Sequence, residues 1–483
     1  MLLYNDLRDW LDQVAQMGEL KEVIGADWHL EIGAVTDMVA KNPQNNWATL
    51  FDKIKDYPVG YRVLTGILNS PRRLALTVGL EPKFGDGEFV MAWRKHLKTL
   101  KPMPSEVVEQ GPIMENVQRG DEVNLFKFPT PKWHELDGGR YIGTGSATVS
   151  RDPDDGMVNI GTYRVMIHDE KRCSHYAGQG KHGIIHRNKY FARNEPCPVA
   201  VIVGEDPLLF LASILPIAHT QDGFKDEYEW IGGVRGEPYK VIIEKVTGLP
   251  IPAQAEIVLA GFSYPDPNLN MGEGPFGEWP GYYASRQRSE PVMKVEAIYH
   301  RNNPIISGAV PSIMPSDFTH PYELIRSAQL WNELEAAGLT DITGVTCYQH
   351  RFITVVSIKQ RYGGHAKRAA MLAMQCNAGA FFGRYVIVVD DDIDIYDFQQ
   401  VVWALSTRVD PVKDIEIVKN CWESLLDPII PAGERRKMFQ SRAIIDATKP
   451  YDWYAEFPPS ISIKPELKAH VQQKWQGQGL FAM

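Results

Sequence analysis

The chain has 483 residues, of which 44% are hydrophobic and 23% charged, and a formal net charge of −9. That balance supports a large buried core in two or three domains, and it excludes a disordered chain and a nucleic-acid binder that neutralises phosphates through a basic surface. The five cysteines (Cys173, Cys197, Cys347, Cys376, Cys421) have no paired spacing and read as reduced thiols of a cytoplasmic protein. No secretory leader pattern is visible, and no apolar run reaches the length of a membrane span.

In chain order, Asn5 and Asp6 precede an amphipathic helix with Leu7, Leu11, Val14 and Ala15 on one face, stopped at Gly18. Ile32, Val35, Met38 and Val39 recur at helical spacing. Strand-like runs follow at 48–51 and 61–67, then a helix at 90–100. Lys101-Pro102-Met103-Pro104 and Pro112 mark a boundary. From there strands dominate: 142–151 and 157–168 flank the turn Asp152-Pro153-Asp154-Asp155-Gly156, and further strands are expected at 198–203, 239–246, 256–262, 292–300 and 305–310, with one helix at 184–194. Antiparallel strands at these spacings predict a barrel or sandwich. Beyond 315 the pattern is α/β: helices at 321–337, 366–378 and 398–405, strands at 342–347, 352–358 and 385–389.

Several stretches carry chemistry. Glu273-Gly274-Pro275-Phe276-Gly277-Glu278 places two carboxylates five residues apart in a turn. Such a turn either aims both acids into one cavity, where unequal surroundings separate their pKa values, or is a solvated surface loop. Asn159-Ile160-Gly161-Thr162-Tyr163-Arg164 reads as a strand in which Thr162 and Arg164 share a face. Its arginine either meets an anion or reaches to solvent. Gly178-Gln179-Gly180-Lys181-His182-Gly183 matches a dinucleotide fingerprint, with Glu205-Asp206 at the distance of a ribose-binding acid, although the strands before it look antiparallel. Asp390-Asp391-Asp392-Ile393-Asp394 suits either a divalent cation or a helix cap.

Taken in order, these stretches resemble the UbiD family of decarboxylases. The residues that carry the resemblance are Asp137-Gly138-Gly139-Arg140-Tyr141-Ile142, Asn159 with Arg164, His182, Glu227-Tyr228 with Gly232-Gly233, Glu273 to Glu278, the run Val388 to Asp394, and Trp403-Ala404-Leu405-Ser406-Thr407-Arg408. The resemblance implies a fold of class α/β (α+β): an N-terminal α/β module (1–112), a central split β-barrel that binds prenylated FMN (113–315), and a C-terminal α/β oligomerisation domain with tail (316–483). It implies Asn159, His182 and Glu227 as ligands of a divalent metal, usually Mn2+, with K+ nearby. Thr162, Tyr163, Arg164, Gly180 and Lys181 would join them around the cofactor, and Arg164, Glu273 and Glu278 would be catalytic. Lys181 departs from the Gln or Ser of some relatives, and a cofactor-contacting lysine near 376–379 has no clear counterpart.

The expected activity is reversible, non-oxidative decarboxylation of an aromatic, heteroaromatic or α,β-unsaturated acid by a homodimer or homohexamer, with a flavin prenyltransferase supplying the cofactor. The rival readings are a carboxylase subunit of a larger complex, an NAD-linked oxidoreductase using the 178–183 loop, and a metal-free hydrolase using Glu273 and Glu278. Specificity residues are expected around 312–320 and in the C-terminal region.

Overall fold

The structure, a computed structural model, describes residues 2–42, 46–176, 178, 180–217, 223–283, 286–313, 315–431, 438–461 and 463–476. Gln179 of the glycine loop and Met314 of the expected specificity segment lie outside the described residues.

Three sheets organise the molecule. The central sheet has nine strands, and eight of them run in the order Arg140–Gly143, Arg164–Ile167, Arg172–Tyr176, Val292–His300, Ile257–Ser263, Cys197–Val203, Ser146–Arg151, Val158–Gly161; the ninth, Asn116–Arg119, pairs with Val292–His300. Side chains alternate along these strands, so Val199, Val201 and Val203 feed one apolar core while Ala200 and Ile202 feed another. The last strand of the order, Val158–Gly161, is followed after only Thr162 and Tyr163 by Arg164–Ile167, the second strand. The sheet therefore curls until its two ends lie side by side, a barrel split at one seam, and the 162–163 corner crosses that seam.

This corner corrects the expectation of one continuous strand at 157–168. Tyr163 folds back so that its hydroxyl accepts hydrogen bonds from Asn159 Nδ2 (3.3 Å) and Gly183 N (3.1 Å), and the Thr162 N–H leaves the ladder for Ser213 O (3.1 Å). Thr162 and Arg164 are therefore not alternate residues of one strand face. The expected strand 142–151 is likewise two strands, which pair on different sides of the sheet.

The N-terminal sheet contains Leu20–Ile24, Ala48–Asp52 and Arg62–Thr65, and its fourth strand is Ile305–Gly308 from after the barrel. The first helix, Leu7–Gln16, is capped by Asp6, which accepts from the backbone N–H groups of Arg8 and Asp9. In Glu31–Ala40 the buried residues are Ile32, Gly33 and Thr36, and Met38 is exposed, so the buried stripe is rotated from the one periodicity suggested.

The C-terminal sheet orders Ile342–Tyr348, Ile353–Ile358, Tyr385–Asp390, Phe439–Ala447 and Ile415–Trp422. Helix Thr319–Ala336 packs on it and also against Asp86–Leu97 of the N-terminal part, where the Arg94 guanidinium lies 4.3 Å from the Trp331 ring centre. No helix among the described residues is long and apolar enough to cross a membrane.

Candidate active site

The seam of the barrel brings Arg164, Glu273 and Glu278 together. Arg164 opens its strand with its side chain 6% exposed, and all three guanidinium nitrogens are engaged. Nε and Nη2 donate side-on to Glu273 Oε1 and Oε2 at 2.7 and 2.8 Å, and Nη1 donates to Glu278 Oε1. The ring of Tyr176 lies 4.5 Å from the guanidinium and that of Phe276 5.4 Å, so the cation is walled by aromatic faces. Phe276, between the two acids in the turn, is buried against Tyr141, whose hydroxyl donates to Glu273 Oε1 at 3.2 Å.

The two acids differ in freedom. The Glu273 side chain is 0% exposed and held by a two-pronged bond plus Tyr141. The Glu278 side chain is 12% exposed, has a single contact to Arg164, and borders a cavity of about 370 Å³ that it shares with Leu30, Trp133, Tyr282 and Ile313. Burial pushes the Glu278 carboxyl above its ordinary range; Arg164 opposes that rise and the Glu273 charge adds to it. On Arg164, burial works against the charge, but Glu278 and Glu273 outweigh it and hold the guanidinium protonated.

The acidic turn is seated by a segment whose role the sequence did not reveal. Asp137 accepts from the backbone N–H groups of His134 (2.9 Å) and Gly277 (3.3 Å), and Gly138 N donates to Pro275 O (2.8 Å). A Cβ on Gly138 would stand 2.2 Å from Gly274 O, so only glycine permits this approach. The peptide between Gly274 and Pro275 is cis. Asp137, Gly138 and Tyr141 all belong to the quoted motif, yet their service to Glu273 and Gly277 crosses more than 130 residues of chain.

Asn159, His182 and Glu227 meet on the other side of the corner. Asn159 Oδ1 and His182 Nδ1 are 3.1 Å apart, and Glu227 Oε2 accepts the N–H of Ile160, the neighbour of Asn159, at 2.9 Å. His182 begins helix His182–Ala192 and Glu227 begins helix Glu227–Arg235, so two helix N-termini, the ends that favour anions, converge there. Two ligands at right angles, each about 2.1 Å from a small divalent cation, stand about 3 Å apart, which fits the Asn159–His182 separation; amide oxygen, imidazole and carboxylate are a suitable donor set. Thr162 turns its hydroxyl to Ser213 Oγ at 2.5 Å, and Tyr163 serves as the buried brace described above. Gly180 takes φ +83° in the loop leading to Lys181.

The dinucleotide reading lacks its frame. The strand before the glycine loop, Arg172–Tyr176, is antiparallel to both neighbours, where a fingerprint loop needs a parallel βαβ unit. Asp390 and Asp392 are bound to Arg408, and Asp392 also to Lys449, an ion network that ties sheet to helix.

The family described as 3-octaprenyl-4-hydroxybenzoate carboxy-lyase matches in three parts: its N-terminal domain over residues 11–86, its Rift-related domain over 105–314 and its C-terminal domain over 320–447. A phenolic acid decarboxylase of Sedimentibacter hydroxybenzoicus is 34% identical over 93% of this chain and 92% of its own. Vanillic acid decarboxylase of the same organism, solved in an open form, superposes with a TM-score of 0.84 at 30% identity, covering 98% of this chain and 99% of that one. The UbiD-class enzyme HmfF of Pelotomaculum thermopropionicum, solved with FMN, gives 0.82 at 28% identity over 96% and 98%, and an evolved dimeric form of it, solved with prFMN, gives 0.79 at 26% identity over 96% and 98%.

Proposed function

This chain belongs to the UbiD family of carboxy-lyases, and from that premise we propose that it catalyses reversible, non-oxidative decarboxylation of an aromatic or heteroaromatic acid with prenylated FMN and a divalent metal. The observation that carries the reading is a single buried arginine shared by one fixed and one looser carboxylate.

Asn159, His182 and Glu227 are the residues that would hold a Mn2+-type ion, which offsets the charge of the cofactor phosphate. Thr162, Tyr163, Gly180 and Lys181 shape the loop and corner around it, and K+ is part of the same proposal. Prenylated FMN, when bound, supplies the electron sink required to lose CO2 from an sp2 carbon.

The chain's own residues do the rest. Arg164 orients the substrate carboxylate through a charge-assisted pair. Its Nε–Nη2 edge stays on Glu273, which fixes the guanidinium plane, so the incoming carboxylate displaces the singly bonded Glu278 from Nη1. Glu278 is then free to give the proton on its carboxyl to the carbon that CO2 leaves, and to take it back in the reverse direction. The raised Glu278 favours the protonated form this step needs. Phe276 and Tyr141 keep water from the Arg164–Glu273 pair. A homodimer or homohexamer, and the domain limits 1–112, 113–315 and 316–483, complete the proposal.

The test is co-expression with a flavin prenyltransferase, then native mass spectrometry, metal analysis and CO2 release from a panel of aromatic and heteroaromatic acids. Bound prenylated FMN with manganese-type metal and turnover of at least one acid is the expected result, and His182→Ala or Glu227→Ala should lose both metal and flavin while remaining folded. Tight NAD binding without flavin overturns the reading.

A further inference from the structure

Glu278 stands between two regions. Its carboxylate meets Arg164, the group that takes the substrate carboxylate. Glu278 also borders the cavity of about 370 Å³, whose inner wall includes the buried Trp133, Gly277 and Ser312 and whose rim includes the exposed Ala34, Tyr282 and Ile313. Among the described residues, neither Arg164 nor Glu273, Asn159, His182 or Glu227 lines this cavity. The cavity therefore reaches the proton donor without reaching the arginine that holds the carboxylate.

Three parts of the chain build the enclosure. Glu278 N donates to Tyr282 O at 3.0 Å and Gly281 N to Glu278 O at 2.9 Å, so the 278–282 turn closes on itself and carries Tyr282 to the rim. Trp279, in the same turn, is not part of the cavity wall and packs instead on His350 and Phe382 of the C-terminal part, with ring centres 4.0 and 4.7 Å away. The helix Glu31–Ala40 supplies a second wall. Leu30 N donates to Lys132 O at 3.0 Å, and a Cβ on Gly33 would stand 2.1 Å from Trp133 O, so the start of this helix sits directly on the 132–133 backbone. His134 Nε2 faces Pro311 O at 2.7 Å; a carbonyl only accepts, so this nitrogen carries the hydrogen and ties the 133–135 segment to the third wall at 311–313. The space suits water. Its volume is many times the ~30 Å³ share of one liquid water, and Asp37, Lys41, Glu135, Ser312 and Tyr282 bring polar groups to its wall. Asp37 and Lys41 pair at 2.7 Å on the helix. The Arg164–Glu273 pair is instead shut in by Phe276 and Tyr141.

The proton balance of decarboxylation calls for such a space. A carboxylate enters, and CO2 and a C–H bond leave, so each turnover consumes one proton. The C–C bond to the carboxylate breaks, its electron pair ends in the new C–H bond, and the hydrogen is the one Glu278 gives. Glu278 is left as a carboxylate and has to regain a proton from solvent before the next turnover. A substrate seated on Arg164 covers the side of Glu278 that faces the reaction. We propose that the cavity between the helix Glu31–Ala40 and the 278–282 turn is the proton inlet of Glu278, a water-holding passage that recharges the acid from the N-terminal side. This rests on the reading that Glu278 is the proton donor.

Ala34 is exposed on its helix, so Ala34→Trp fills the cavity from the rim and Ala34→Leu fills it in part. In the flavin-loaded enzyme, Ala34→Trp should lower kcat roughly 5–50-fold with KM and flavin content kept, and Ala34→Leu should fall between it and wild type. Rapid mixing should show a burst of about one protonated product per active site at the wild-type rate, followed by the slow phase, because Glu278 starts charged with its proton. A second measurement needs no turnover. The infrared band of the protonated Glu278 carboxyl, identified by its loss in Glu278→Gln, is followed as the protein as purified is mixed into D2O; Ala34→Trp should slow its exchange at least about tenfold. Wild-type exchange and turnover in Ala34→Trp overturn the inlet and leave the decarboxylase reading standing. A raised KM with kcat and exchange unchanged also overturns it, because the cavity would then admit substrate. Slowed exchange in Ala34→Trp, with no acid turned over by the wild-type enzyme, supports the inlet and sinks the decarboxylase reading instead.

Discussion

Glu273 and Glu278 are the same residue type five positions apart, and their surroundings divide them. Glu273 spends both oxygens on Arg164 and accepts from Tyr141, so its loss would leave a buried cation without its main partner, a change that costs about 3–5 kcal/mol. Glu278 has one bond to break and a cavity to move into. Glu278→Gln should therefore keep fold, flavin and substrate binding but lower turnover about 10²–10⁴-fold, and solvent deuterium should no longer enter the product at the rate seen in wild type. Wild-type kcat should fall as pH rises through the raised Glu278 pKa, because the donor must be protonated. The stability effect has the same sign: a carboxyl raised in the folded state adds stability at pH below its ordinary 4.5, and that contribution is lost as pH climbs through the folded value. Urea unfolding of Glu278→Gln across this window should lack that component of the slope.

Helices and strands here are shaped by what crosses them. Pro207–Ile214 is buried on nearly every side, so it carries no amphipathic period and reads from sequence as part of an apolar run. Glu227–Arg235 contains Gly232-Gly233, a pair that suggests a break. The structure shows another reason, since Cβ atoms there would meet Met103 O at 2.5 Å and Lys101 O at 2.3 Å, where the 101–104 linker passes over the helix. The acidic turn depends on a comparable approach. Gly138→Ala should push Gly274 and Pro275 away from the 137–139 segment, at a cost of about 1–3 kcal/mol in chemical denaturation, and should lower activity more than that modest destabilisation explains. Full activity in a destabilised Gly138→Ala would mean that the turn tolerates displacement.

Over the whole molecule, the three sheets are interlocked. Ile305–Gly308 leaves the barrel to complete the N-terminal sheet, and the buried Asp317, just ahead of the long C-terminal helix, accepts from Gly66 N at 2.9 Å and Leu68 N at 2.7 Å. Asp317→Ala would strand those two buried N–H groups, and a loss of about 1–3 kcal/mol is expected from urea unfolding followed by far-UV circular dichroism. An unchanged midpoint would show that water replaces the carboxylate there.

The local parts are legible in the amino-acid order: the capped first helix, the hairpin around Asp152 to Gly156, the helix face Leu324, Ala328, Trp331 and Leu334, and the ordered motif residues with Arg164, Glu273 and Glu278 among them. Each of these is written in neighbouring residues, through caps, turns and periodicity. Which groups meet is set by packing between distant segments. The 162–163 corner exists because Tyr163 finds Gly183 and Thr162 finds Ser213; Tyr141 serves Glu273 from 132 positions away; and Trp279, Tyr322 and His350 stack from three separate segments. Contacts that span such separations depend on how the sheet closes and the layers pack, which no local pattern encodes.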